Sequence, residues 1–279
     1  MIDFSEEQIQ RYSRHILLKD IGVEGQIRIR ESKILVIGAG GLGAPALLYL
    51  AAAGVGRLGF VDGDVVDLSN LQRQVIHSTP DVGIAKVESA AAKLKALNPD
   101  VELVPVRGLA RADNGRELVR GWDFVIDGTD NFAAKFLIND ACVLEKVPFS
   151  HGGILRFTGQ TMTVVPGVSA CYRCAFHQPP PPGAVPTCSE AGVLGAIAGM
   201  LGTIQAAEAL KYVAKVGTPL TNALLTFEAL AMDFRKVRLK RRSDCPVCGE
   251  HPVITELHDE ALPVCDLPAN RGGHRASGA

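Results

Sequence analysis

Glycines with the spacing of a nucleotide-binding turn are the first residues in the sequence that could do chemistry. An apolar run leads directly into Gly38, Gly40, Gly41 and Gly43. Between a strand and a helix, such glycines permit a tight turn and let backbone N–H groups approach a phosphate. Asp62 ends the next predicted strand, where an acid accepts hydrogen bonds from ribose hydroxyls. The pattern predicts an adenine nucleotide at this turn, with a glycine turn that holds no ligand as the alternative.

Cations and acids further along the chain separate one nucleotide chemistry from another. Arg73 and Lys86 follow the second strand, together with the backbone N–H of Asn70. A helix N-terminus largely neutralises the pyrophosphate of NAD. A triphosphate carries more charge, and its cleavage needs hydrogen-bond donors at the oxygens where negative charge grows. Asp127 and Asp130 come at the end of a predicted strand, where they can hold magnesium. Together these residues favour ATP cleavage over dinucleotide binding.

Four of the seven cysteines occur in two C-x-x-C pairs, Cys171 with Cys174 and Cys245 with Cys248. Four thiolates complete a tetrahedral zinc shell and leave no position for water, which is typical of a structural site. Such a site adds metal-dependent folding energy on the order of 10 kcal/mol. A redox pair is the alternative, but a thioredoxin-like C-x-x-C motif occurs once, at the start of a helix. The two pairs therefore favour structural zinc.

A further thiol, Cys188, follows a proline-rich stretch (178–187) that we expect to be an exposed loop. Thr187 and Glu190 fit a capping box, which predicts Cys188 in the first turn of a helix. The helix dipole favours anions there and lowers the pKa of a thiol below about 8.5. Such a thiolate could accept an acyl group as a thioester or form a mixed disulfide. We predict this catalytic role for Cys188, with a structural cysteine as the alternative.

Composition limits the class of protein. With 279 residues, 47% of them hydrophobic and 21% charged, the sequence is typical of a soluble globular protein. The formal net charge of −1 disfavours nucleic acid as a partner, since phosphate neutralisation needs a basic surface. We predict no signal peptide, no membrane segment and a cytoplasmic protein. The uncharged stretch 192–207 is too short for a bilayer and predicts a buried helix, whose glycines pack closely against the sheet or a second subunit.

Apolar runs alternate with helical patterns as far as residue 150. The predicted strands are 33–37, 57–62, 101–106, 124–127 and 147–150. The predicted helices are 5–18, 44–53, 86–97 and 132–144. This alternation predicts an α/β fold built on a Rossmann-like, doubly wound, mostly parallel sheet. The polar–apolar alternation that follows predicts antiparallel C-terminal strands in the same sheet.

Several motifs together resemble those of the molybdopterin-synthase adenylyltransferase (MoeB)/ThiF family, bacterial relatives of ubiquitin-activating enzymes. The resemblance extends over about residues 1–250, in order and without large gaps. Its motifs here are GAGGLGAPALLYLAAAGVGRLGFVDGDVVDLSNLQRQVIH, GIAKVESA, DGTDN, CYRC, TCSEAGV and CPVCG. It implies ATP-dependent adenylation of the C-terminal glycine of a small ubiquitin-like sulfur-carrier protein ending in Gly-Gly. The matching cofactors are ATP, magnesium and structural zinc.

The resemblance also implies roles for individual residues. The positions that match the ATP-binding motifs are Gly41, Asp62, Ser69, Asn70, Leu71, Gln72, Arg73, Lys86, Asp130 and Asn131. Arg14 matches an arginine that the family extends across a dimer interface to the triphosphate, so a homodimer is implied. Cys188 matches a cysteine that several members use in sulfur transfer.

The same resemblance sets the expected domain organisation. Residues 1–249 would form the adenylation domain with its two zinc knuckles, and residues 250–279 would be a disordered tail. The segment CGEHPVITEL resembles the linker that leads to a rhodanese domain in longer relatives. Because the sequence stops soon after it, we expect a separate sulfur donor, either a rhodanese or a cysteine desulfurase. Molybdopterin, thiamine, cysteine and tRNA-thiolation pathways all use such carriers, and the sequence does not choose among them.

Other functions stay open at this point. A family member could instead adenylate a small-molecule or tRNA-bound carboxylate, although the near-neutral charge disfavours tRNA. An NAD-dependent oxidoreductase is the alternative from another class. Such an oxidoreductase would need a catalytic acid–base pair, and none is evident in the sequence. It would also leave Arg73, Lys86 and the four cysteines without a role. An inactive interaction scaffold would not need the full set of phosphate-binding residues.

Overall fold

Helices and strands alternate along the chain, which the structure, a computed structural model, describes at residues 4–181, 184 and 191–259. The helices are α1 (Glu6–Ile16), α2 (Gly22–Glu31), α3 (Gly43–Ala53), α4 (Lys86–Leu97), α5 (Gly115–Val119), α6 (Phe132–Leu144), α7 (Tyr172–Ala175) and α8 (Gly195–Ala214). The strands are β1 (Lys33–Ile37), β2 (Arg57–Asp62), β3 (Glu102–Arg107), β4 (Phe124–Asp127), β5 (Phe149–Leu155), β6 (Thr158–Val164), β7 (Ala223–Glu228) and β8 (Asp233–Arg238). Short 3-10 helices at Leu68–Asn70 and Thr79–Asp81 lie between β2 and α4.

One mixed sheet holds these strands in the order β3-β2-β1-β4-β5-β6-β7-β8. The pairs β2–β3, β1–β2, β1–β4 and β4–β5 are parallel. From β5 onward each strand pairs antiparallel with the next. The structure therefore confirms the predicted α/β class, the doubly wound parallel half and the antiparallel C-terminal strands.

Two hydrophobic clusters cover the opposite faces of the sheet. Because side chains alternate along a strand, Ile34 and Val36 of β1 join one cluster, while Leu35 and Ile37 join the other. Helices α2, α3, α4 and α8 close the first cluster, and α5, α6 and the segment around α7 close the second. Burial on both faces explains why β1 and β4 are continuous apolar runs in the sequence.

Several predicted boundaries differ from the structure. Predicted helix 5–18 ends at Ile16, and the unpredicted helix α2 follows it. Helix α2 was not predicted, because its buried residues Gly25, Gln26 and Ile29 do not form an apolar stripe. Strand 101–106 lies one residue later, as β3. Strand 147–150 begins at Phe149 and continues to Leu155 as β5, which pairs with β6 along its whole length.

The segment 192–207 contributes to a buried helix, as predicted, but with different ends. Helix α8 begins at Gly195 and continues to Ala214. A Cβ atom on Gly202 would lie 2.1 Å from the carbonyl oxygen of Leu42, in the turn before α3. This glycine therefore lets α8 approach α3 of the same chain closely. No helix in the described part of the chain is long and apolar enough to cross a membrane.

The chain remains packed after the second C-x-x-C pair, where the sequence predicted a disordered tail. Ile254 and Leu257 pack against the second hydrophobic cluster. Asp259 Oδ1 accepts a hydrogen bond of 2.9 Å from a backbone N–H in the loop before α5. The predicted disorder is therefore corrected for 250–259, whose anchoring residues are too sparse to form a sequence pattern. The domain boundary at residue 249 stays a prediction. The rest of the predicted tail, 260–279, lies outside the described residues.

The close contact at Gly202 predicts a large difference between two glycines of one helix. We expect Gly202→Ala to destabilise the fold by about 1–3 kcal/mol, because its methyl group would overlap the backbone of Leu42. Gly199 is the matched control, since a Cβ atom there meets nothing within 4 Å. Gly199→Ala should leave stability unchanged or raise it by up to about 1 kcal/mol through helix propensity. Urea unfolding measures both, and equal stabilities would contradict this packing.

Candidate active site and metal centre

A large cavity opens at the carboxyl edge of the parallel strands, the edge where open α/β sheets bind ligands. Its volume is about 1160 Å³. The turns after β1, β2, β3 and β4 line one part of it, and residues of β5 to β8 line the other. Residues of its wall include Gly38, Gly40, Gly41, Asp62, Asp64, Arg73, Gln74, Lys86, Asp130, Asn131, Lys135 and His151.

The glycine turn between β1 and α3 is built on close backbone contacts. Gly38 has φ of +96°, and a Cβ atom there would lie 2.8 Å from the carbonyl oxygen of Gly128. A Cβ atom on Gly43 would lie 1.7 Å from the carbonyl oxygen of Gly38. Only glycine fits either position without moving the backbone. The turn therefore brings the start of α3 to the cavity, with Gly38, Gly40 and Gly41 on its wall.

Asp62 ties the glycine turn to the end of β2. Its Oδ2 accepts a hydrogen bond of 2.8 Å from the N–H of Ala39, and its Oδ1 accepts one of 2.9 Å from the N–H of Asp64. The carboxylate is 9% exposed and lies on the cavity wall. It retains lone pairs for a further donor, because each carboxylate oxygen can accept two hydrogen bonds.

The two predicted cations reach the cavity from different elements. Lys86, at the start of α4, is buried and donates to Asp64 Oδ2 at 2.8 Å, while its Nζ lies 3.9 Å from Asp62 Oδ1. Arg73 lies in the loop between β2 and α4 and donates through Nη1 to the carbonyl oxygen of Ser69 at 3.1 Å. Among the described residues, no carboxylate lies within ion-pair distance of Arg73. The Lys86 charge is therefore partly neutralised, and the Arg73 charge is not.

The other residues of the predicted ATP motif divide between the wall and its surroundings. The segment 69–72 is not part of the wall, where Arg73 and Gln74 stand instead. Ser69 donates its hydroxyl and its backbone N–H to Asp67 Oδ1, and the second of these bonds caps the 3-10 helix. Asn131 lies on the wall and caps α6 by accepting the N–H of Ala134 at 2.8 Å.

The last residue of β4, Asp127, and the acid in the turn that follows, Asp130, have opposite environments. Asp130 is exposed on the cavity wall, and no cation in the described part of the chain pairs with it. Asp127 is 1% exposed and lies 3.2 Å from Lys135 Nζ and 3.0 Å from His151 Nδ1. Burial alone would raise the pKa of Asp127, but the Lys135 ammonium and the His151 N–H lower it to about 2. The structure does not support Asp127 as a magnesium ligand, because these side chains already occupy its oxygens.

Sequence reasoning missed Lys135 and His151, which lie on the cavity floor. Lys135 also donates to the carbonyl oxygen of Thr129 at 2.7 Å and to that of Gly152 at 2.5 Å. Its position in the first turn of α6, shortly after the buried acid, was the only signal available. Nothing in the sequence marked His151, because the pairing of β4 with β5 brings it to Asp127.

Two further predicted catalytic residues are Arg14 and Cys188. Arg14 is exposed on α1 and does not belong to the wall. Cys188 and its capping box lie outside the described residues, as does most of the proline-rich loop.

The four paired cysteines gather into one buried cluster, with all four Sγ atoms within 4.8 Å of one another. The Sγ–Sγ distances are 3.9 Å for Cys171–Cys174, 3.6 Å for Cys171–Cys245 and 3.4 Å for Cys174–Cys248. A tetrahedral zinc ion with Zn–S bonds of about 2.3 Å separates its sulfurs by about 3.8 Å. The spacing fits such a metal and is far longer than a disulfide bond of about 2.05 Å.

Hydrogen bonds outside the sulfur cluster fix its geometry. Cys174 Sγ accepts the backbone N–H of Arg242 at 3.5 Å. Between the first two cysteines, Arg173 makes a bidentate contact with buried Asp140 of α6, with distances of 2.7 Å from Nε and from Nη2. These bonds hold the first C-x-x-C pair on α6. The second pair comes from the segment after β8, so the four cysteines join that segment to the second hydrophobic cluster.

Comparison with known proteins agrees with this geometry. The model of the ThiF family matches residues 12–247. The chain belongs to the ThiF family.

Two of the relatives that cover most of the chain are also matched over nearly their whole length. The SAMP-activating enzyme E1 of Haloferax volcanii is 51% identical over 243 residues, which are 87% of this chain and 90% of that protein. The sulfur carrier protein adenylyltransferase of Thermus thermophilus is 46% identical over 263 residues, covering 92% of this chain and 96% of that protein. Among solved structures, Escherichia coli MccB in complex with MccA-N7isoASN has the same fold, with a TM-score of 0.77 at 22% identity over 88% of this chain and 76% of that one.

The buried Asp127–Lys135 pair predicts a pH-dependent stability. We expect Lys135→Met to lose about 3–5 kcal/mol at pH 7, because a buried carboxylate would lose its cation. The folded pKa of Asp127 would then rise above its unfolded value near 4, so the variant would bind a proton on folding. The deficit relative to wild type should therefore shrink as the pH falls from 7 toward 4.

Arg235→Met is the control for this change. The Arg235 side chain is 77% exposed and pairs with Asp233, so its loss should cost no more than about 1 kcal/mol. Urea unfolding at pH 7 and pH 4.5 measures the two variants. A Lys135→Met deficit that stays constant or grows on acidification would contradict the assignment.

Proposed function

We propose that this protein is an ATP-dependent adenylyltransferase that activates the C-terminal carboxylate of a small ubiquitin-like sulfur-carrier protein. The observation that carries the proposal is the position of Arg73. Its guanidinium has no carboxylate partner among the described residues, and it stands on the cavity wall with the glycine turn. An unneutralised cation beside backbone N–H groups is suited to phosphate oxygens.

The nucleotide end of the site lies over the parallel strands. The turn at Gly38, Gly40 and Gly41 would hold phosphate, and Asp62 would accept hydrogen bonds from the ribose hydroxyls. Lys86 and Arg73 would then carry the charge of the triphosphate. The names of the two relatives support ATP as the nucleotide, because both describe an activating enzyme or an adenylyltransferase.

The acyl end of the site lies over β5 to β8, where the cavity continues beyond the space that a nucleotide needs. Its wall there includes the polar side chains of Gln160, Thr226 and Arg235. An extended peptide tail could lie along these strands and bring its terminal carboxylate to the phosphates. The Thermus thermophilus relative is named for a sulfur carrier protein, which supports a protein tail as the second substrate.

The reaction needs charge stabilisation more than proton transfer. A carboxylate oxygen of the carrier attacks the α-phosphorus of ATP, the bond to the bridging oxygen breaks, and pyrophosphate leaves with the electron pair. No general base is required, because a carboxylate is already ionised at neutral pH. Arg73 and Lys86 offset the negative charge that grows on the phosphate oxygens. The acyl-adenylate that forms can then react with a sulfur nucleophile from a separate donor.

Asp130 is the residue that would hold magnesium. Its exposed carboxylate, free of cations in the described chain, fits a hard ion that is bound by one or two carboxylates together with phosphates. When bound, the ion would supply positive charge to the phosphate oxygens. We further propose that the four-cysteine cluster holds zinc, which its sulfur spacing and closed, four-thiol shell support.

Two further residues complete the proposal. Arg14 is exposed on α1, where a second copy of the chain could present it to the triphosphate, as the family resemblance implies. Cys188 is proposed as the thiol that accepts the activated carrier or its sulfur, on the sequence alone. Nothing in the geometry favours nicotinamide, whose chemistry would leave Arg73 without a role.

ATP–pyrophosphate exchange tests the function directly. We expect exchange that requires a carrier ending in Gly-Gly, and Arg73→Ala should reduce it about 100-fold or more, because a donor to the developing charge is lost. Arg120→Ala is the control, since Arg120 is exposed and pairs with Glu145 away from the cavity. Thermal unfolding should show both variants folded. NADH oxidation without exchange would refute the function, and wild-type exchange in Arg73→Ala would remove Arg73 from the site.

Metal removal tests the zinc proposal. We expect about one zinc ion per chain, and Cys248→Ser should lose it. The loss of several kcal/mol of metal-dependent folding energy should lower the Tm by about 10 °C or more. Cys142→Ala is the control, because this buried thiol lies outside the cluster. Metal analysis and thermal unfolding measure the result. Full zinc content in Cys248→Ser would show that the metal binds elsewhere.

A further inference from the structure

The backbone of the glycine turn is held by a side chain that is not on the cavity wall. His77 lies between the 3-10 helix Leu68–Asn70 and α4, and it is 6% exposed. Its Nε2 lies 3.2 Å from the carbonyl oxygen of Ala39, within the glycine turn. Its Nδ1 lies 2.8 Å from the hydroxyl oxygen of Ser89, on α4.

The partners of the ring determine which nitrogen carries the proton. A carbonyl oxygen only accepts hydrogen bonds, so the Nε2 of His77 must be the donor to Ala39. In the neutral ring the Nδ1 then accepts the hydroxyl proton of Ser89. The Ser89 oxygen in turn accepts from Lys93 Nζ at 3.2 Å, and Lys93 pairs with Asp81. Burial lowers the pKa of His77, which agrees with a neutral ring.

This hydrogen bond fixes the direction of a peptide group in the turn. The C=O of Ala39 and the N–H of Gly40 belong to one planar trans peptide, so they point in opposite directions. With the carbonyl oxygen directed at His77, the N–H of Gly40 points away from His77. Gly40 lines the cavity and His77 does not. On the other side of the same residue, the N–H of Ala39 is held by Asp62.

We propose that His77 is a positioning residue for nucleotide binding, because its Nε2–H anchors the Ala39 carbonyl oxygen and so aims the N–H of Gly40 at a phosphate oxygen. This inference rests on the proposed function, since it takes the turn to be the phosphate site. The pair Asp62 and His77 holds both polar groups of Ala39 and keeps the next peptide from rotating. Without this anchor, the Gly38–Gly40 backbone could rotate, because glycine restricts its dihedral angles little.

Two substitutions separate the anchor from general support of the fold. The amide nitrogen of glutamine reaches about as far as Nε2 of histidine, whereas that of asparagine reaches about as far as Nδ1. His77→Gln can therefore keep the bond to Ala39, and His77→Asn can keep only the contact with Ser89. Ser89→Ala is the control, because it removes the partner of Nδ1 and leaves the Ala39 bond in place.

We expect His77→Asn to raise the KM for ATP in pyrophosphate exchange about tenfold, the effect of losing one preorganised hydrogen bond. His77→Gln and Ser89→Ala should stay within about twofold of wild type, and the KM for the carrier should not change in any variant. Thermal unfolding checks that the variants are folded. Equal KM values for the asparagine and glutamine variants, or a larger increase for glutamine, would overturn the proposal.

A second measurement needs no variant and no activity. Nitrogen-15 NMR of the wild-type imidazoles should show His77 neutral at pH 7 with its proton on Nε2. A neutral ring with its proton on Nδ1 would overturn the anchor even if ATP binds, because Nε2 would then have no proton to donate to Ala39. If the wild type shows no exchange, the proposed function fails, and the NMR result still decides whether the turn is held in this way.

Discussion

The contact between two backbone turns at the carboxyl edge of the sheet is the constraint on which this structure depends. The turn after β1 and the turn after β4 approach so closely that Gly38 and Gly128 meet backbone to backbone. Strand β1 pairs directly with β4, so the register of the sheet dictates this approach. A side chain on either turn would separate them and move the start of α3. The direction of the backbone N–H groups that face the cavity therefore follows from sheet pairing and from glycine at these positions.

The sequence predicted the parallel half of the fold well, because strands buried on both faces appear as apolar runs between helical patterns. The glycine turn, Asp62, Lys86 and the paired cysteines were also recognisable, since their types and spacing carry the chemistry locally. Helix α2 and the packed segment 250–259 were not recognisable, because isolated apolar anchors hold them against surfaces formed by distant parts of the chain. The local sequence pattern therefore predicted which helices and strands form. Contacts between distant parts of the chain determined where they end.

The part of the site that the sequence missed depends on pairing between strands. Asp127 seemed available for a metal, because an acid at a strand end is exposed in many α/β proteins. The parallel pairing of β4 with β5 places His151 beside it, and α6 delivers Lys135 to the same point. The spacing of these three residues along the sequence does not predict that they form a cluster. Asp130, the next acid along the chain after Asp127, is not part of this cluster, because it lies beyond β4, in the turn before α6.

A change of strand direction explains how a dinucleotide-type sheet can accommodate a second, larger substrate. Up to β5 each strand is parallel and helices cover both faces of the sheet. From β6 on the strands are antiparallel. Short turns join β5 to β6 and β7 to β8, whereas the segment that contains α7 and α8 joins β6 to β7. Residues opposite each other in neighbouring strands share a face, and Gln160, Thr226 and Arg235 form such a row. This row lines the cavity. The cavity thus extends from the phosphate turn to β8, the last strand of the sheet, which gives a peptide tail space to reach a nucleotide.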